Sequence, residues 1–160
     1  MLIVMYLVAI VMANLLVTWF GPSVVIVNAF LFIGLDLTAR DKLHEQWQHK
    51  HLWSKMALLI GVGSTLSWLL NRNAGPIALA SFVAFACAGI ADALVYHLLR
   101  DKAKMLKING SNVVSAAIDS LVFPTLAFGS FMPLIVLGQF AAKVAGGFLW
   151  SLVIARGKNE

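Results

Sequence analysis

Four ionisable residues lie inside long apolar stretches of this chain: Asp36, Asp92, Asp119 and Lys143. A charge at the centre of a lipid bilayer costs roughly 2.5–3.5 kcal/mol on insertion scales. Residues of this kind face a polar interior, where they pair with one another or bind a ligand. They therefore predict an interior polar site, and that site is the best indication of function.

Asp119 and Lys143 are the sharpest pair, because neither has an opposite charge within one turn on its own predicted helix. The predicted helix bounds place Asp119 about 12 Å from the start of its helix and Lys143 about 18 Å from the end of the next. A lysine side chain bridges that offset, so we predict an ion pair. A purely structural buried pair is the competing interpretation.

Amide and aromatic residues share helix faces with these charges. Asn28, Phe32 and Asp36 follow one another at four-residue spacing in one helix, and Gln139 lies one turn before Lys143 in another. Rings stack on a planar solute, while carboxylates and amides bind its polar edge. The residues predicted to bind a substrate are Asn112, Asp119, Lys143, Asp36, Asn28, Gln139, Phe32 and Phe123.

A second set of charges lies where two predicted helices end. Arg40 follows Asp36 by one turn, and Arg100 follows Asp92 by two turns. Such pairs either anchor a helix at the membrane edge or orient groups at the mouth of a cavity. We assign Arg40, Asp92 and Arg100 to gating or ion pairing, with the anchoring role left open.

Signs of catalysis are missing from the sequence. No nucleophile stands beside a base, and there is no glycine-rich phosphate loop. The histidines at 44, 49 and 51 lack the spacing of a closed metal site. The sequence therefore predicts a protein that is not an enzyme and that binds no metal or cofactor.

The elements that position these residues are apolar. The chain of 160 residues is 61% hydrophobic and 12% charged, a balance that soluble domains rarely approach. Six segments are long enough to span a bilayer. The sequence thus predicts an all-α, polytopic membrane bundle forming a single domain over residues 1–160. The predicted helices are about 2–20, 23–40, 55–71, 76–99, 111–129 and 131–155.

The basic residues give a topology. Ten of the 12 Lys and Arg residues fall on one face of a six-helix arrangement, against Arg72 on the other. The positive-inside rule then places both termini in the cytoplasm. This distribution fits contact with a lipid bilayer and disfavours nucleic acid as a partner.

Four places in the chain resemble the queuosine precursor transporter family, also called the vitamin-uptake-transporter-like family. They are the run Phe30–Arg40 with its Asp-Leu-Thr-Ala-Arg ending, the run Asp92–Arg100, the run Ser111–Phe128, and Lys143. The resemblance implies a six-helix importer of 7-cyano-7-deazaguanine or a related deazapurine in the bacterial cytoplasmic membrane. The residues that match the family's polar positions are Asp36, Arg40, Asp92, Asn112, Asp119 and Lys143.

Two alternatives remain at this stage. The chain is either a substrate-binding subunit that docks on a separate energising module, for which Ala9-x-x-x-Ala13 is the candidate contact, or a small membrane protein without transport activity. Assembly into a homo-oligomer is left open.

Overall fold

The computed structural model describes residues 2–33, 35, 43, 52–99, 101–102 and 104–156. Every regular element in these ranges is helical, and none of them contains a strand. We number the helices α1 (Leu2–Phe20), α2 (Val25–Asn28), α3 (Leu52–Leu70), α4 (Gly75–Leu98), α5 (Lys104–Phe128) and α6 (Pro133–Arg156). The all-α prediction therefore holds for the described part of the chain.

The chain reverses between α1 and α2. A 3₁₀ turn, Gly21–Val24, joins them, and Gly21 has a φ of 64°, which glycine adopts without steric cost. Asn28 Nδ2 donates to the backbone oxygen of Ala13 at 2.8 Å. In one straight helix these residues would be about 22 Å apart. The two segments consequently form a hairpin, and a π-helical turn, Ala29–Ile33, follows α2.

The structure differs from the predicted bounds in two places. The described part of the predicted helix 23–40 consists of a 3₁₀ turn, α2 and a π-helical turn. The predicted helix 111–129 begins earlier than expected, because α5 starts at Lys104 and runs through Asn109 and Gly110. A helical glycine costs only about 1 kcal/mol, and here α5 packs closely on α4. A Cβ on Gly110 would lie 3.0 Å from Leu99 Cδ1, so this contact favours the small residue. For α1, α3, α4 and α6, the observed bounds lie within three residues of the predicted ones.

The helices form a ring around a central space. Going around it, the order is α1, α3, α4, α5, α6 and then α2 with its π-helical turn, which returns to α1. The contact between α4 and α5 is the most extensive of these. A ring of this kind presents one face of every helix to the same interior.

The outer surface is apolar and the interior carries the polar side chains. Leu58, Leu79 and Leu134 are 67%, 64% and 83% exposed, whereas Lys143 and Gln139 are buried. This distribution is typical of helices surrounded by lipid. Within the described ranges, three helical stretches are long and apolar enough to cross a membrane, namely Ile3–Phe32, Arg72–Val95 and Gly110–Phe128, and two apolar helices are shorter, Ser54–Leu70 and Pro133–Gly146.

Two apolar clusters lie at different depths of the interior. The Tyr6 cluster comprises Tyr6, Ile10, Leu43, Met56 and Ile60, with Leu59 and Phe85 packed against it. The Phe123 cluster comprises Val17, Val25, Ile77, Ala80, Ala84 and Phe123, with further apolar side chains around it. Tyr6 of the first cluster and Val17 of the second are about 16 Å apart along α1.

Small residues in α1 serve contacts inside this chain. Ala9 and Ala13 are 1% and 5% exposed, so the Ala9-x-x-x-Ala13 stripe is covered by neighbouring helices of the same chain. The expectation that it docks a partner subunit is wrong for this arrangement of the helices. Close packing within the bundle explains its small side chains.

The contact of α6 with the π-helical turn gives a prediction about stability. A Cβ on Gly146 would overlap the backbone oxygen of Phe30, whereas a Cβ on Gly61 would meet no atom within 4 Å. We expect Gly146→Ala to destabilise the protein by about 1–3 kcal/mol, because backbone atoms must move apart. Gly61→Ala should leave the melting temperature unchanged or raise it, since alanine favours helix. Thermal melting of both variants in detergent checks this, and equal melting temperatures would contradict the close contact.

Candidate functional site

The predicted ion pair between α5 and α6 is present. Lys143 Nζ donates to Asp119 Oδ2. The lysine side chain is 1% exposed and the aspartate side chain 24%. The ammonium group is therefore enclosed by the bundle, while the carboxylate remains partly open.

The open side of Asp119 faces a cavity at the centre of the ring. This cavity has a volume of about 60 Å³ and is lined by side chains from all six helices. On the same measure a water molecule needs about 10–15 Å³, so the space holds several. Residues of the Tyr6 cluster and of the Phe123 cluster both line it, which places it between the two. Its polar lining consists of Tyr6, Asn14, Asn28, Ser81, Ser115, Asp119, Gln139 and Lys143.

One polar side chain of this lining, Asn14, is hydrogen-bonded to a serine outside it. Ser67 Oγ donates to the backbone oxygen of Gly63 at 2.8 Å. The same hydroxyl oxygen accepts from Asn14 Nδ2, which lies 3.2 Å away. Asn14 in α1 is thereby tied to α3.

Another part of the lining lacks hydrogen-bond partners. Asn28 Oδ1 and Gln139 Oε1 are buried atoms without a partner among the described residues. Asn28 is 5% exposed and Gln139 is 3% exposed. Both belong to the cavity wall, on α2 and α6. An unpaired buried polar atom costs roughly 1–3 kcal/mol, so these two oxygens require an explanation.

The structure gathers five of the predicted substrate-binding residues around the cavity: Asn28, Asp119, Phe123, Gln139 and Lys143. That they bind a substrate stays a prediction. Phe32 and Asn112 are described but do not line the cavity. Asp36, Arg40 and Arg100 lie outside the described residues. Asp92 is not part of the cavity wall, and its Oδ1 is a buried atom without a hydrogen-bond partner in the described ranges.

Sequence reasoning overlooked the contribution of α1. Tyr6, Ile10, Asn14 and Val17 all line the cavity. Their spacing of three or four residues is the signal of one helix face, and Asn14 is a polar side chain in a run that is otherwise almost entirely apolar. On α4, Ser81 and Phe85 line the cavity with the same spacing. A search of the apolar segments for uncharged polar residues would have found Asn14.

The arrangement suits reversible binding of a neutral, planar solute. The carboxylate offers an acceptor oxygen, two amide oxygens are unpaired, and Phe123 offers an aromatic ring. Because the lysine balances the carboxylate charge, a ligand need not bring charge of its own. Acceptors of this kind bind N–H donors.

The comparison with known protein families gives a match over nearly the whole chain. A family model described as "Putative vitamin uptake transporter" matches residues 1–156. No curated protein and no solved structure matches the chain.

The ion pair gives a prediction about stability. Lys143→Ala leaves the Asp119 carboxylate without its partner, and we expect a loss of about 2–3 kcal/mol, at the lower end for a buried pair because Asp119 is partly open. The double variant Asp119→Asn with Lys143→Gln removes both charges and should recover most of that loss. Denaturation of both in detergent measures the difference, with exposed Lys102→Ala as the control. A double variant no more stable than Lys143→Ala would contradict the coupling.

Proposed function

We propose that this chain, which belongs to the vitamin uptake transporter family, imports a queuosine precursor, 7-cyano-7-deazaguanine or a related deazapurine, across the bacterial cytoplasmic membrane. Its family and its apolar helices make it a membrane protein of a transport family. The observation that supports a deazapurine as the substrate is the central cavity, where the Asp119 carboxylate lies among amide and aromatic side chains.

The chemistry of the substrate matches that carboxylate. The amino-pyrimidinone edge of a deazaguanine carries parallel N–H donors, and a carboxylate accepts two such bonds side by side, as it does from arginine. Asp119 Oδ2 accepts from Lys143, and ionised oxygens have lone pairs to spare for further donors. Phe123 supplies a ring at the cavity wall for stacking on the heterocycle.

The position of the cavity supports transport rather than storage. Transporters bind substrate near the middle of the membrane and open to each side in turn. Here the Tyr6 cluster and the Phe123 cluster flank the cavity. In the proposed cycle, one cluster separates to admit substrate and the other separates to release it. Asp36 with Arg40, and Asp92 with Arg100, are proposed to act at the cytoplasmic side.

The proposed topology has six membrane spans and both termini in the cytoplasm. The hairpin between α1 and α2 supports counting two spans in Ile3–Phe32, because the chain reverses at Gly21. The turn at 71–74, in which Arg72 and Asn73 are exposed, then lies outside the cell, and the exposed residues Asp101 and Lys102 lie inside.

Uptake tests the function directly. Cells that lack their own synthesis of 7-cyano-7-deazaguanine, and that express this chain, should accumulate the labelled compound above an empty-vector control. Asp119→Asn should reduce uptake at least tenfold, because the amide accepts at one oxygen only. Thr125→Val is the matched control. Thr125 Oγ1 donates to the backbone oxygen of Leu121 in its own helix, and Thr125 does not belong to the cavity wall. Accumulation no higher than in cells with the empty vector would contradict the proposed function.

The topology has its own test. Cys87 is the single cysteine, so Cys87→Ser gives a background without thiols. Adding Asn73→Cys to it should allow labelling of intact cells by a membrane-impermeant maleimide, whereas adding Lys102→Cys should allow labelling only after permeabilisation. The opposite pattern would invert the proposed orientation.

A further inference from the structure

The unpaired oxygens of Asn28 and Gln139 lower the stability of the fold as it stands. Each is a buried acceptor without a partner among the described residues, in a side chain that is 95% or more buried. Replacing such a group with an apolar group of similar shape is neutral or stabilising, so folding alone does not favour it. Groups that break a folding rule are concentrated at functional sites.

The orientation of the Asn28 amide is determined. Its Nδ2 donates to the backbone oxygen of Ala13 at 2.8 Å, and a carbonyl oxygen only accepts. The other end of the amide is therefore Oδ1, an acceptor that stands in the cavity wall. This residue both holds α2 against α1 and presents an oxygen to the interior.

Gln139 stands on the neighbouring helix. The adjacent Gly138 packs so closely on Ile26 that a Cβ there would overlap its side chain, which brings α6 against α2 at this level. Gln139 and Asn28 thus belong to one wall of the cavity, formed by α2 and α6. Asp119 belongs to α5, so the cavity has acceptors on two separate walls.

We infer that Asn28 and Gln139 determine specificity by sharing, in one three-centre hydrogen bond, a single N–H at a second edge of the ligand. The inference rests on the proposed function. A deazaguanine base has a pyrrole N–H in its five-membered ring, away from the amino-pyrimidinone edge that Asp119 would bind. A ligand substituted at that nitrogen, such as a nucleoside, cannot donate there. The cavity therefore selects the free base.

Gln139→Met tests this inference because methionine keeps the length of the side chain and removes the amide. The probes are 7-cyano-7-deazaguanine and its derivative methylated on the pyrrole nitrogen. Wild-type protein should bind the parent at least tenfold more tightly than the methylated compound. In Gln139→Met the affinity for the parent should fall about tenfold, which corresponds to the loss of one hydrogen bond. The preference for the parent over the methylated compound should shrink to about threefold or less.

The stability of the ligand-free variant supplies the second readout. Because the amide oxygen has no hydrogen-bond partner among the described residues, Gln139→Met should melt at the same temperature as wild type or higher. Thr125→Val, a polar-to-apolar change away from the cavity, should alter neither affinity nor preference. If the methylated compound bound weakly because its methyl group clashes with the protein, the clash would persist in Gln139→Met. A smaller preference for the parent compound in that variant therefore reports the loss of the hydrogen bond.

Two results would overturn the inference alone. One is a lower melting temperature or failure to fold of ligand-free Gln139→Met, which would make the amide structural. The other is an unchanged preference in a variant that still binds the parent. If wild-type protein binds neither probe, the proposed function fails and the inference with it. The two failures are therefore distinguishable by the wild-type measurement.

Discussion

A buried ammonium group in an apolar bundle must have a partner, and Lys143 obtains one from Asp119. The pair forms because the two residues lie at the same depth. Asp119 is nine residues before the end of α5 at Phe128, and Lys143 is ten residues after the start of α6 at Pro133. Both are therefore about 14–15 Å from the turn that joins the helices. The position of the cavity follows, because the open carboxylate oxygen needs a polar space beside it.

The polar residues around that space divide into two groups with different consequences. Asn14 and Ser67 satisfy one another and the backbone, so they tie α1 to α3. Asn28 and Gln139 each keep an oxygen that has no hydrogen-bond partner in the described part of the chain. The first group stabilises the contact between two helices by a hydrogen bond. Such bonds matter in a bilayer, since the hydrophobic effect does not drive helices together in lipid. The second has no such explanation within the fold, which is why it points to a ligand.

The sequence was sufficient for the helices and for the ion pair, because apolar length and unpaired charge are strong local signals. It was insufficient where depth and local helix geometry matter. Asn112 shares a face with Asp119, but it lies seven residues away, about 10 Å along the helix and past the end of the cavity. Phe32 lies in the π-helical turn, where a spacing of four residues falls short of a full turn. Nothing in the run Ala29–Ile33 signals that turn.

The packing of the ring suggests why a ligand at Asp119 affects the whole bundle. Gly138 and Gly146 press α6 onto α2 and its π-helical turn, and α4 packs extensively on α5. The contact between α5 and α6 is less extensive than either of these, and the ion pair crosses it. A substrate that donates to Asp119 shares the same carboxylate with Lys143. It therefore acts on the electrostatic contact between two closely packed helix pairs, at a boundary that is less extensive than the contact within either pair.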